Sequence, residues 1–278
     1  MSEPSSLPIG PVAFIGGGNM ARSLIGGLVA RGVAAGDIRV AEPVAALREA
    51  LQRDFGVACF DNAQAAAEGA SVWLLAVKPQ VMREVCASLA EQARAQRPLA
   101  ISIAAGITAS QLDRWLGGEV AVVRAMPNTP AMLGVGITGL YANAAAASRF
   151  DQAAGLLDAV GPTVRIDEEA QMDAVTAVSG SGPAYVFLLA EAMQQAGQIQ
   201  GLSSEAARAL VRQTLLGAAT MLTQSEEPAE VLRTRVTSPG GTTQAAIETF
   251  EAGGFRELVD SAIAAATRRG RELSAANE

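Results

Sequence analysis

The chain has 278 residues, a formal net charge of −7 and a half-hydrophobic composition. That length suits one large or two modest domains with a sizeable core, and the acidic balance argues against nucleic acid or an anionic membrane surface as partner. There is no histidine, and Lys78 is the one lysine among 21 basic residues; this excludes a Ser-His-Asp hydrolase and speaks against a zinc site.

The opening segment MSEPSSLP has neither a basic region nor a long apolar run, so no signal peptide is expected. The short strand PVAFIG (11–16) leads into a helix over 19–32. DIRVAE (37–42) is a second strand, followed by a helix over 44–56. Further strands are expected at 57–60, 71–77, 99–104 and 120–126, with helical segments between most of them. Short β-branched strands alternating with helices imply a doubly wound parallel sheet. Segments 135–142 and 162–167 are candidate edge strands.

Beyond Glu168 the strand-like runs stop. In 203–224, Ala207, Leu210, Val211, Thr214, Ala218, Met221 and Leu222 share one helical face, with Ser203 as N-cap. In 253–276, Leu258, Val259, Ala262, Ile263 and Ala266 repeat the spacing. Segment 183–197 is apolar nearly all round, starts with a favourable Pro183 and must be buried on every side. With so short a helical region, a partner chain is expected to supply part of that burial. The two parts divide as 1–168, an α/β domain, and 169–278, an all-helical domain. The arginines of TRRGRE (267–272) suit a helix C-terminus. Cys59 and Cys86 form no metal or redox motif and read as small packed residues in a reducing cytoplasm. The longest uncharged run (174–190) is too interrupted to span a membrane.

Between the first strand and first helix, FIGGGNMA places Gly16, Gly18 and Ala21 as G-x-G-x-x-A. Gly16 permits the tight turn, Gly18 lets backbone approach a pyrophosphate, and Ala21 permits close helix–strand packing. The bare motif is weak, but its strand–loop–helix context is the required one. At the end of the second strand, Glu42 either holds the ribose hydroxyls of NAD or is a solvated turn residue before Pro43. AVKPQ (76–80) and SIAAGIT (102–108) end strands on the same carboxyl edge. A Schiff base would have to use Lys78; a helix start at Pro79 and a cofactor-lining backbone fit the segment better. Ala104, Ala105 and Gly106 are small enough to leave room for a flat ring.

These segments, followed by RAMPNTP (124–130), VSGSGPAYVF (178–187) and TSPGGTTQAAIETFEAGGF (237–255), together resemble the pyrroline-5-carboxylate reductase family over nearly the whole chain. The resemblance implies a Rossmann domain followed by an all-helical domain that interlocks with a second copy, in dimers that often form a decamer. It implies hydride transfer from NADPH or NADH to the C=N carbon of 1-pyrroline-5-carboxylate, giving L-proline. By the same resemblance Gly16, Gly18, Asn19, Met20 and Ala21 form the pyrophosphate loop, and Asn62 lies near the adenosine. Ala76, Val77, Lys78 and Pro79 run along the cofactor, with Ala104, Ala105 and Gly106 on the nicotinamide side. Met126, Pro127, Asn128 and Thr129 lie beside the reacting centre. Ser238, Gly240, Gly241, Thr242 and Thr243 belong to the substrate loop. Glu42 departs from NADPH-preferring members, which opens NADH use.

The chemistry asks for a carboxylate site and a polarised imine. A Ser-Pro-Gly-Gly-Thr-Thr loop entering a helix offers backbone N–H groups, hydroxyls and a positive dipole end. An iminium substrate brings its own proton, so no histidine is needed, and Thr243 is the candidate hydrogen-bond partner near the ring nitrogen. Most of the rate would come from holding C=N against the nicotinamide. Tyr185 and the glycines of 179–182 serve helix packing or line the substrate pocket. Two alternatives stand: another NAD(P)-dependent imine or hydroxyacid reductase, and a non-catalytic NAD(P)-binding scaffold. The hydroxyacid enzymes use a lysine in the helical part, which this chain lacks.

Overall fold

The computed structural model describes residues 10–277, so MSEPSSLP lies outside the described residues. Two units pack separately: residues 10–181 with 266–277, and residues 182–265.

The first unit alternates strands and helices. Its elements run β1 (Val12–Ile15), α1 (Asn19–Ala30), β2 (Ile38–Ala41), α2 (Ala45–Phe55), β3 (Ala58–Phe60), α3 (Ala63–Ala67) and β4 (Val72–Leu75). They continue with α4 (Pro79–Gln96), β5 (Leu99–Ser102), α5 (Ala109–Trp115), β6 (Ala121–Met126), β7 (Thr138–Ala142), α6 (Phe150–Leu157), β8 (Thr163–Arg165) and α7 (Met172–Val175). The strands form one sheet in the order β3-β2-β1-β4-β5-β6-β7-β8. Each strand expected from the sequence is present, trimmed by a residue or two at most ends. The departure is β7, which pairs antiparallel with β6, whereas the other neighbours run parallel. The β6–β7 link holds a 3-10 turn, Thr129–Leu133, and no α-helix to carry a crossover, so the chain turns back on itself. Strand β7 then lies between β6 and β8 and is not the edge strand expected.

Strand alternation sorts the core onto two faces. Val12 and Phe14 pack with Leu24, Ile25 and Leu28 of α1 on one side. Ala13, Ile15, Trp73 and Leu75 pack with Met82, Cys86 and Leu89 of α4 on the other. Residues of β1, β4 and β5 are buried throughout, as expected for strands covered on both faces. Each fully buried Phe or Leu contributes about 1.5–3 kcal/mol. Cys86 is buried here, its thiol pushed up to about 12 by that burial, while Cys59 is half-buried.

The second unit contains α8 (Gly182–Ile199), α9 (Ser204–Gln224), α10 (Ala229–Arg235), α11 (Thr242–Ala252) and most of α12 (Phe255–Ala275). Ser203 caps α9 by accepting from Ala206 N at 3.2 Å, as its sequence position implied. Within one chain, α8 leaves Phe187 and Leu188 68% and 67% exposed, and Leu258 of α12 is 69% exposed. Of the α9 face, Ala207 and Val211 are buried while Leu210, Met221 and Leu222 are exposed. So many large apolar side chains in water mark a contact surface. The arginines of 267–272 sit short of the last turn of α12, which holds no basic residue. Arg269 pairs with Glu272, and Arg271 lies close enough to Asp173 to act on its charge.

Candidate active site

Strand order reverses between β1 and β4, and the loops that follow them meet there. Gly16 has φ +109°, and a Cβ built on it would lie 2.7 Å from Ala76 O. Only glycine fits that combination of backbone and close approach. Gly16 N donates to Ala41 O, and Ala76 N donates to Ile15 O, which ties the three strand ends together. Gly18 differs: a Cβ there would meet nothing within 4 Å. It is the N-cap of α1, with no side-chain cap and no acidic residue in the first turn. The N-terminal N–H groups of a twelve-residue helix therefore face the open side of this loop, an arrangement that suits an anion. Asn19 is exposed and Met20 half-buried at the same mouth, while Ala21 is buried against the sheet.

Glu42 is buried to 7% exposure at the end of β2. Its Oε2 accepts from Gly17 N at 3.1 Å and its Oε1 from Val44 N at 3.0 Å. The carboxylate is thus fixed against the Gly-rich loop by two backbone donors and is not a solvated turn residue. Asn62 caps α3, its Oδ1 accepting from Ala65 N at 2.8 Å and its amide donating to Asp61. Lys78 is the exposed N-cap of α4, with Pro79 in its first turn; Ala76 and Val77 are half-buried beside Gly16.

Ala104 and Ala105 are half-buried after β5, where the 2% exposed Ser102 accepts from Ala104 N at 3.3 Å. Gly106 has a structural reason of its own. Its φ is +72°, and a Cβ on it would press on Leu273 Cβ at 3.2 Å. The space beside Gly106 is filled by the C-terminal turn, so only the two alanines leave room for a ring.

The loop after β6 is braced by its own side chains. Asn128 accepts from Ile137 N at 3.1 Å and donates to Ser179 O at 3.3 Å. The Met126 methyl would lie 2.6 Å from a Cβ at Gly180. Pro127 is buried and Thr129 exposed. Ser179 and Gly180 belong to a π-helical turn, Thr176–Gly180, between α7 and α8; such turns recur at functional sites. The residues of 126–128 and 179–180 therefore come together, a pairing that no local pattern revealed. Sequence reasoning also missed Arg124, 6% exposed, which bonds Glu169 at 2.9 Å; the same Glu169 oxygen accepts from Ala109 N at 2.6 Å.

In the second unit, the loop before α11 folds on itself. Gly240 has φ +71°, and its N–H donates to Gln244 Oε1 at 2.7 Å. Gly241 N donates to Ser238 O at 3.0 Å, and Gly241 caps α11 without a side chain. Both glycine N–H groups thus serve the turn itself. The first helical residues, Thr242 and Thr243, are left as the donors best placed for an anion, with Ser238 exposed and Thr243 half-buried beside them.

A doubly wound sheet, a Gly-rich turn at its strand-order switch and an uncapped helix end define a Rossmann-type dinucleotide-binding protein. A family model described as pyrroline-5-carboxylate reductase dimerisation matches residues 169–273, and one described as NADP oxidoreductase, coenzyme F420-dependent, matches residues 11–106. The pyrroline-5-carboxylate reductase of Pseudomonas aeruginosa is 53% identical over 95% of this chain and 96% of its own length. That of Haemophilus influenzae is 44% identical over 94% and 97%. Among solved structures, a pyrroline-5-carboxylate reductase from Coxiella burnetii superposes with a TM-score of 0.92 at 40% identity, covering 96% of this chain and 99% of that one. The Plasmodium falciparum pyrroline carboxylate reductase with NADP bound gives 0.82 at 27% identity, covering 96% and 99%. The chain belongs to the pyrroline-5-carboxylate reductase family.

Proposed function

We propose that the chain reduces 1-pyrroline-5-carboxylate to L-proline with NAD(P)H. The observation that carries this is the open, uncapped start of α1 beside Gly18, at the sheet's switch point, in a chain that aligns almost end to end with reductases of that name. When bound, the nicotinamide supplies the hydride. The protein's part is to fix the pyrophosphate at Gly18 and Asn19 and hold the ribose near Glu42. Residues 76–79 and 104–105 line the ring. The start of α11 at Thr242 and Thr243 takes the substrate carboxylate and the ring nitrogen. A carboxylate as firmly anchored as Glu42 repels a 2′-phosphate, which favours NADH.

The functional division falls at residues 1–168 and 169–278, supported by the dimerisation model that begins at residue 169. The working form is a homodimer of interlocked helical units in the cytoplasm, with a decamer as the larger assembly. The exposed apolar face of α8 supports a second copy as its cover. So does an open apolar cavity of about 720 Å³ lined by Met221, Leu222, Leu232 and Val236. Among the described residues no helix is long and apolar enough to cross a membrane. Oxidation of NADH or NADPH on addition of 1-pyrroline-5-carboxylate, with proline as product, tests the activity. Cofactor binding without turnover would favour the scaffold alternative.

A further inference from the structure

The loop between β5 and α5 is held by a part of the chain far away in sequence. Asn277 Nδ2 donates to Gly106 O at 3.0 Å and to Leu273 O at 2.8 Å. Gln111, 3% exposed, donates from Nε2 to Ser274 O at 3.3 Å, while its Oε1 accepts from Thr108 N at 2.8 Å. Leu273 backs directly onto Gly106, whose left-handed φ of +72° no side chain tolerates easily. Both sides of these contacts belong to the first unit.

We propose that the C-terminal turn, through Asn277 and Leu273, is a positioning element that sets the backbone of residues 104–106 for the nicotinamide ring. It acts through the Gly106 carbonyl and requires no contact of its own with the cofactor. The placement of the ring beside residues 104–105 comes from the proposed function, on which this rests. The physical reason is local. A glycine carbonyl in a left-handed turn has few restraints, and among the described residues Asn277 supplies its side-chain donor. Without that donor the loop samples other orientations, and the ring loses a preorganised wall.

The test compares the full chain with Asn277→Asp and Asn277→Gln. Aspartate has the shape of asparagine but sets an oxygen against the two carbonyls; glutamine keeps the donor. Dissociation constants are measured for NADH, by nicotinamide fluorescence, and for ADP-ribose, which has the same pyrophosphate but no nicotinamide. Asn277→Asp should weaken NADH about two- to tenfold, the range for one lost hydrogen bond, and leave ADP-ribose unchanged. Asn277→Gln should recover most of the NADH affinity. An equal shift for both ligands would mean general damage and overturn the proposal, as would no shift for either. If the wild-type chain reduces the substrate yet Asn277→Asp binds NADH normally, this inference alone falls. If the wild-type chain binds neither NADH nor ADP-ribose, the functional reading falls with it.

Discussion

Gly16 and Gly18 sit two residues apart in one loop, yet the structure assigns them opposite roles, and alanine at each separates the two. At Gly18 the backbone has φ −69° and ψ −177°, open to any L-residue, and the new methyl would meet no atom within 4 Å. The cost to folding is that of a poorer N-cap, about 1 kcal/mol or less. The same methyl points where a pyrophosphate must approach, so Gly18→Ala should raise the dissociation constant for NADH at least about tenfold, or 1.4 kcal/mol. At Gly16 the φ is +109° and the methyl would lie 2.7 Å from Ala76 O. Backbone strain of about 1–3 kcal/mol and overpacking of about 1–3 kcal/mol add there. Gly16→Ala should therefore lower Tm by about 4–24 °C, from about 2–6 kcal/mol at about 2–4 °C per kcal/mol. Thermal unfolding by circular dichroism and NADH titration by fluorescence read the two effects independently. A Gly18→Ala protein with wild-type Tm and wild-type NADH affinity would refute the assignment of the loop to the pyrophosphate.

Glu42→Ser removes the carboxylate that Gly17 and Val44 hold in place, and should raise the NADPH-to-NADH ratio of kcat/KM by about tenfold or more, since a charge pair near a protein surface is worth up to about 4 kcal/mol; an unchanged ratio would place the 2′-position elsewhere. Thr243→Ala should lower kcat/KM about 10- to 1000-fold, the usual cost of one transition-state donor. Thr243→Ser should recover much of it, and full activity in Thr243→Ala would remove Thr243 from the mechanism. Burial pushes the Asp173 carboxyl up, against the pull of Arg124 and Arg271. The folded state therefore favours the protonated acid, and its ionisation costs stability above the ordinary pKa of 3.8. Asp173→Asn should raise Tm at neutral pH, with the gain fading as pH falls through the carboxylate range; a gain that grows in acid would contradict the sign.

What the sequence carried well was whatever depends on neighbours in the chain. The buried strands, the Gly-rich turn and the Ser203 cap each rest on spacings of a few residues, and each is where the pattern placed it. The direction of β7 escaped because alternation reads alike whichever way a strand runs. Its place between β6 and β8, not at the edge as expected, is set by pairing with β8, whose sequence lies further on at Thr163–Arg165. Gly106 showed a small residue but not its cause, since the Leu273 side chain that would meet a Cβ there comes from the far end of the chain. The Arg124–Glu169 pair is similar: each charge alone reads as surface, and only folding shows the arginine buried. In the 237–250 loop the glycines were legible as a turn. That Gly240 and Gly241 spend their N–H groups inside that turn was not, because Gln244 could as well have pointed to water.

The central claim is hydride transfer from the nicotinamide to the imine carbon. Turnover of 1-pyrroline-5-carboxylate with NADH deuterated at the transferable C4 position, followed by mass and NMR analysis of the product, tests it most directly. The account predicts L-proline carrying one deuterium at C5. Unlabelled proline, or no proline with the cofactor bound but unoxidised, would contradict it.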